Sequence, residues 1–82
     1  MSDDANADRL HNLETSIWVG KRGIEPIIEE LATQLEHHDF VKVKFLRAAR
    51  TSQTTEELAV ELADRVGGEV IRTRGHTAVI TG

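Results

Sequence analysis

Apolar residues along this chain fall into two rhythms, one suited to strands and the other to helices, and the rhythm changes repeatedly. The run Ser16-Ile17-Trp18-Val19 is rich in β-favouring side chains and reads as a first strand. Gly20 and Gly23 interrupt it. Ile24, Ile27, Ile28, Leu31 and Leu35 then recur at helical spacing, with Pro26 where a first helical turn tolerates it, while Glu25, Glu29, Glu30 and Glu36 take the solvent side. From Phe40 to Leu46 the pattern alternates, apolar at Val41, Val43 and Phe45 and basic at Lys42 and Lys44, as in a half-buried strand. Lys42 and Lys44 must therefore share one face of it.

Thr54 and Glu57 form a capping-box pattern ahead of Leu58, Ala59, Leu62, Ala63 and Val66, and Gly67-Gly68 ends that helix. Residues 69–73 and 77–81 flank Arg74-Gly75-His76 and predict a terminal hairpin. Upstream, Leu10 and Leu13 lie one turn apart and suggest a short helix from about Asp8 to Glu14, behind a flexible tail over residues 1–7. The predicted order is helix, strand, helix, strand, helix, strand, strand. That order implies a two-layer α/β sandwich with a mixed four-stranded sheet, a parallel pair being joined by a crossover helix. Residues 8–82 form its one domain. Each long helix has a single apolar stripe, so both should cover one sheet face and leave the other partly open.

Charge alters this picture more than composition does. The 82 residues carry a formal net charge of −4, which by itself argues against a polyanionic partner. The distribution is uneven, however. Residues 1–40 hold Arg9, Lys21 and Arg22 against nine acids, and residues 41–82 hold seven basic residues against five acids. All the lysines, Lys21, Lys42 and Lys44, fall in the glycine loop and the alternating strand. No cysteine is present, which excludes disulfides and thiolate chemistry. The acidic, polar start and the lack of a long apolar run predict a soluble, cytoplasmic protein with no membrane association.

A strand followed by Gly20-Lys21-Arg22-Gly23 and then a helix puts backbone amides, a helix N-terminus and two cationic side chains at one point, which suits an anion. Glycine permits positive φ and close approach of a sugar–phosphate backbone. The loop resembles the GxxG loop of KH domains, which clamps single-stranded backbone. The nucleotide-binding pattern Gly-x-x-x-x-Gly-Lys-Ser/Thr is not matched. In a parallel βαβ unit the loop after the first strand and the end of the second lie at the same sheet end, so Lys42 and Lys44 approach the loop. Arg47, Arg50, Arg72 and Arg74 could extend the patch, Arg72 and Arg74 by shared strand parity.

Three stretches together resemble the CRM domain, named for chloroplast RNA splicing and ribosome maturation: Leu10-His11-Asn12-Leu13, Ile17-Trp18-Val19-Gly20-Lys21-Arg22-Gly23-Ile24, and Asp39-Phe40-Val41-Lys42-Val43-Lys44. The family's recurrent Gly-Lys-x-Gly-Leu and Glu-Leu-Ile-Lys-Val-Lys motifs both occur at comparable separation, with Ile24 and Asp39-Phe40-Val41 as conservative changes. Likeness runs over roughly residues 10–80 and is to the stand-alone, YhbY-like archaeal members. It implies an RNA-binding α/β domain with an exposed GxxG loop, acting on ribosomal RNA or a pre-ribosomal particle during large-subunit assembly, without catalysis, cofactor or metal. The expected RNA contacts are Gly20, Lys21, Arg22, Gly23, Lys42, Lys44, Arg47, Arg72 and Arg74. The protein is expected to act as a monomer on structured RNA rather than DNA. The family's closing Leu-Tyr-Arg is absent, since Ile80-Thr81-Gly82 keeps only the apolar position, and the acidity departs from basic bacterial relatives.

Other functions have weaker support. An enzyme would need an acid–base pair or nucleophile, and the nearest candidates, His37, His38 and Asp39, are adjacent residues that diverge in direction. A helix-end histidine more often meets the last carbonyls than a metal. The alternative class is a protein-interaction adapter using the open sheet face, or residues 77–81 as an edge strand. Trp18 is expected to pack at the sheet edge or in the core, the other reading being that, exposed beside Gly20, it stacks on a base.

Overall fold

The structure, a computed structural model, describes residues 13–82. The strands are β1 (Thr15–Val19), β2 (Phe40–Phe45), β3 (Glu69–Arg74) and β4 (Thr77–Thr81). The helices are α1 (Ile28–His37) and α2 (Thr55–Arg65), and short turns of 3-10 helix cover Glu25–Ile27 and Arg47–Ala49. Most of the helix expected from Asp8 to Glu14 lies outside the described residues, and Leu13 and Glu14 are irregular. No described helix is long and apolar enough to cross a membrane.

The sheet is four-stranded and mixed, in the order β1-β2-β4-β3. β1 and β2 are parallel, with α1 as their crossover, and β4 runs antiparallel to both β2 and β3. Alternation along the strands sends Ile17, Val19, Val41, Val43, Phe45, Ala78 and Ile80 to one face, where they form a single core with Leu31 of α1 and Leu58, Ala59, Leu62 and Ala63 of α2. Both helices thus cover the same face of the sheet.

Local chemistry accounts for the element ends. Pro26 lies in the first turn of the 3-10 segment that leads into α1. The Thr54 hydroxyl accepts from the Glu57 amide at 3.1 Å, and the Thr54 amide donates to Glu57 Oε1 at 2.9 Å, completing the capping box. Gly67 adopts φ +71° past the last turn of α2, and the Gly68 amide donates to the Ala63 carbonyl at 2.8 Å. In the β3–β4 turn Gly75 has φ +59° while His76 does not enter positive φ, the pattern of a two-residue hairpin with glycine first.

One expectation is overturned. Residues 77–81 are not an edge strand, because β4 lies between β2 and β3, and the edges are β1 and β3. The physical reason is legible afterwards: Ala78, Val79 and Ile80 are all buried, as in a strand covered on both faces, whereas β3 carries Glu69, Arg72 and Arg74 exposed, as charged edge strands do.

Candidate nucleic-acid interface

Three chain segments meet at one end of the sheet. Val19 closes β1, and the chain turns through Gly20-Lys21-Arg22-Gly23, with the Gly23 amide donating to the Gly20 carbonyl at 2.9 Å. Lys21 and Arg22 are exposed at the tip, and Ile24, buried beneath it, is the N-cap of the 3-10 turn, with no side-chain cap on the first amides. Such uncapped amides are the donors an anion can use. The second segment leaves β2 beside the first, since the Leu46 amide donates to the Val19 carbonyl at 2.8 Å. Arg47, exposed, follows directly. The third is the hairpin turn, tied in by the Phe45 amide donating to the His76 carbonyl at 2.8 Å.

The two glycines of the loop have different duties. Gly23 requires positive φ, at +76°, although a Cβ there would meet nothing. Gly20 does not need positive φ, and a Cβ there would make an ordinary 3.9 Å contact with Leu46 Cδ1. Gly20→Ala should therefore leave thermal stability unchanged, whereas Gly23→Ala should cost about 1–2 kcal/mol through the left-handed backbone. Equal melting temperatures for the two variants would contradict that division.

On the sheet face away from the helices, strand register lines the expected cations into rows. Trp18 pairs with Lys44, Lys44 with Thr77 and Thr77 with Arg74, so these residues cross the sheet as one row next to the loops. The next row contains Lys42, Val79 and Arg72. With strands about 4.8 Å apart and alternate residues about 6.6 Å apart, the four cationic positions fall within roughly 10 Å by 7 Å at the level of Cα. The outer face closes over Val79, 3% exposed, and is open along the first row. Arg50 stands apart from the patch's open side: its Nε donates to the Phe45 carbonyl at 3.1 Å, which holds the β2 end in place.

Trp18 takes the exposed one of its two sequence readings. It is 53% exposed on the outer face, because alternation assigns Ile17 and Val19 to the core and leaves Trp18 pointing away from it. A second feature had no sequence signal at all. Glu25, at the start of the 3-10 turn after the loop, receives two hydrogen bonds from Arg65, at 2.8 and 3.0 Å across 40 residues. Hydrogen bonding to the Arg65 guanidinium, and then its charge, lower the Glu25 carboxyl from its ordinary value. Both groups are solvated, so the pair adds little stability; it cancels the acid nearest the loop. Glu29, Glu30 and Glu61 are exposed on helices that cover the opposite face, whereas Glu56, in the first turn of α2, lines a cavity with Arg50, Gly75 and His76 beside the hairpin turn.

His37, His38 and Asp39 are exposed where α1 ends and β2 begins, and no group of three His, Asp or Glu side chains among the described residues could hold a metal ion.

The family model of the CRS1 / YhbY (CRM) domain matches residues 6–80. The chain belongs to this family. Probable RNA-binding protein MJ0652 of Methanocaldococcus jannaschii is 36% identical over 72 residues, 88% of this chain and 54% of that protein. This CRM chain thus spans about half the length of that relative. Among solved structures, the solution structure of the Staphylococcus aureus hypothetical protein SAV1595, described as a candidate RNA-binding protein, superposes with a TM-score of 0.72 at 28% identity. The match covers 92% of this chain and 77% of that one. The two-layer topology expected from the sequence agrees with that superposition.

Proposed function

We propose that this CRM protein binds structured RNA by its phosphate backbone, through the Gly20-Lys21-Arg22-Gly23 loop and the cations beside it, and that its target is ribosomal RNA during large-subunit assembly. One observation carries the reading: parallel pairing of β1 with β2 and closure by the hairpin turn bring the loop, Lys44, Arg47 and Arg74 to one sheet end, while both helices cover the other face. A local positive field on an acidic chain is sufficient for docking a polyanion, since fields near a surface are set by local arrangement rather than by total charge. Family membership and the RNA-binding descriptions of both relatives support the same partner. Backbone contacts position an RNA without reading its sequence, so selectivity rests on RNA shape and unpaired bases. The ribosomal target rests on the resemblance of the loop and the Lys42-Val43-Lys44 strand to the family's motifs. Binding needs no covalent step, and the cytoplasm, where pre-ribosomal particles assemble in cells without a nucleus, is the compartment it fits.

The test is a double charge reversal in the loop. Lys21→Glu with Arg22→Glu should lower affinity for a structured ribosomal RNA fragment at least about 10-fold near 0.1 M salt and reduce the slope of log affinity against log salt by roughly 1.5, as loss of two phosphate contacts requires. Filter binding across a salt series measures both quantities, and an unaltered affinity rejects the backbone clamp. Co-sedimentation with large-subunit precursors tests the ribosomal target separately; recovery only on other RNAs would replace the target and leave the clamp intact.

A further inference from the structure

Among the described residues Trp18 is the largest exposed apolar side chain on the outer sheet face, and it stands between a cationic strand position and Leu46, 39% exposed, which packs toward Gly20. Its register neighbour is Lys44, and Arg74 ends the same row. Two residues further along the chain Gly20 begins the phosphate-binding turn, so one nucleic-acid strand can run from the loop tip onto this face. The acid on the outer side of β3, Glu69, pairs with Thr81 at the far end of the sheet.

An indole with Lys44 directly beside it is poorly matched to an apolar protein surface, because covering it would also strip water from that ammonium. It is well matched to a nucleotide. Every base offers a π-face to an aromatic ring, and the flanking phosphates require the positive charge that this row supplies. Paired bases are stacked inside a helix and cannot reach the ring, so the chemistry selects unpaired nucleotides.

We propose that the outer face beside the loop takes an unpaired RNA nucleotide, its base stacked on the Trp18 indole and its adjacent phosphates on Lys44 and the glycine loop. This rests on the RNA-binding reading above and adds the ligand class: RNA in which a single-stranded segment adjoins the gripped backbone.

The chain has one tryptophan and no tyrosine, so its intrinsic emission reports on this ring alone. The probes are an oligouridylate of about ten nucleotides, within the ~4–16-nucleotide range of single-strand sites, and a blunt RNA duplex of equal length. The oligouridylate should quench Trp18 emission saturably, and Trp18→Ala should weaken its binding roughly 5- to 150-fold, with Trp18→Phe losing less. Duplex binding should leave the emission unchanged and be indifferent to Trp18→Ala.

Unaltered emission at saturating oligouridylate, or undiminished affinity in Trp18→Ala, overturns the stacking proposal. If Lys21→Glu/Arg22→Glu still weakens duplex binding in that case, the backbone clamp survives alone. If neither variant changes binding of either RNA, both readings fall. An emission change on raising protein concentration without RNA would assign the face to a second copy of the chain and overturn the proposal as well.

Discussion

Replacing Gly68 by alanine should destabilise the domain by about 3 kcal/mol or more, a larger loss than any cap or surface change should produce. Gly68 follows the left-handed Gly67 and leads into β3 directly against the end of β4. A Cβ there would fall inside the contact distance of the Thr81 carbonyl oxygen, with the Thr81 carbonyl carbon at 3.2 Å and Gly82 Cα at 3.5 Å. All three obstacles are main-chain atoms, which cannot rotate away as a side chain would. Relief requires moving the end of β4, where Thr81 is in register with Glu69 and Phe40. The Thr81 hydroxyl, which donates to the Asp39 carbonyl at 2.9 Å, would be displaced too.

Gly67→Ala is the control. Its Cβ would meet nothing within 4 Å, and only the φ of +71° is strained, for a cost of about 1–2 kcal/mol. At roughly 4–8 °C per kcal/mol for a domain of this size, Gly68→Ala should melt some 12 °C or more below the parent and clearly below Gly67→Ala. A Gly68→Ala protein that melts with the parent would show that β4 yields freely at this point.

The pair also illustrates what sequence can and cannot supply. Two adjacent glycines after a helical pattern mark its end, and the capping box marks its start, because both signals depend on backbone geometry within a few residues. That one glycine serves φ and the other serves an approach to residue 81 is tertiary information. The same boundary runs through the candidate site. Alternation from Phe40 to Phe45 placed Lys42 and Lys44 on one face, and the structure keeps them there with Arg72 and Arg74. Strand order was less accessible, since a hairpin of two short strands can join a sheet by either member. The unbroken apolar run Ala78-Val79-Ile80 was the available clue that β4 is interior.

For Trp18 the prior for a bulky aromatic outweighed parity, although Ile17 and Val19 on either side already required it to point outward. The Glu25–Arg65 pair lies beyond any pattern argument, because it depends on how the 3-10 turn after the loop and the end of α2 are brought together. It has a consequence for the loop all the same. An acid in the first helical turn would repel a phosphate at the place where the amides attract it, and Arg65 removes that conflict without burying either charge.

The cations of the site are carried on strand and turn positions, so their convergence depends on the rigidity of what lies below them, and Phe45 is central to that support. Its side chain is fully buried, it is in register with Val19, its amide donates to His76 and its carbonyl accepts from Arg50. It therefore joins the end of β1, the Arg47 turn and the hairpin turn in one place. Phe45→Ala should cost about 3–5 kcal/mol, as removal of a buried phenyl generally does. In a domain whose whole stability is of order 5–15 kcal/mol, that leaves a folded state only weakly favoured. Urea unfolding should show a midpoint far below that of Leu46→Ala, whose side chain is 39% exposed. Similar midpoints for the two would remove the buried phenyl from this account. RNA affinity should fall in Phe45→Ala as well, by a route unlike that of the charge reversals. A deficit caused by a small folded fraction is restored by an excluded osmolyte such as trimethylamine N-oxide, which strengthens burial, whereas a deficit caused by missing phosphate contacts is not. Recovery in Phe45→Ala together with no recovery in Lys21→Glu/Arg22→Glu would separate the scaffold of the site from its chemistry.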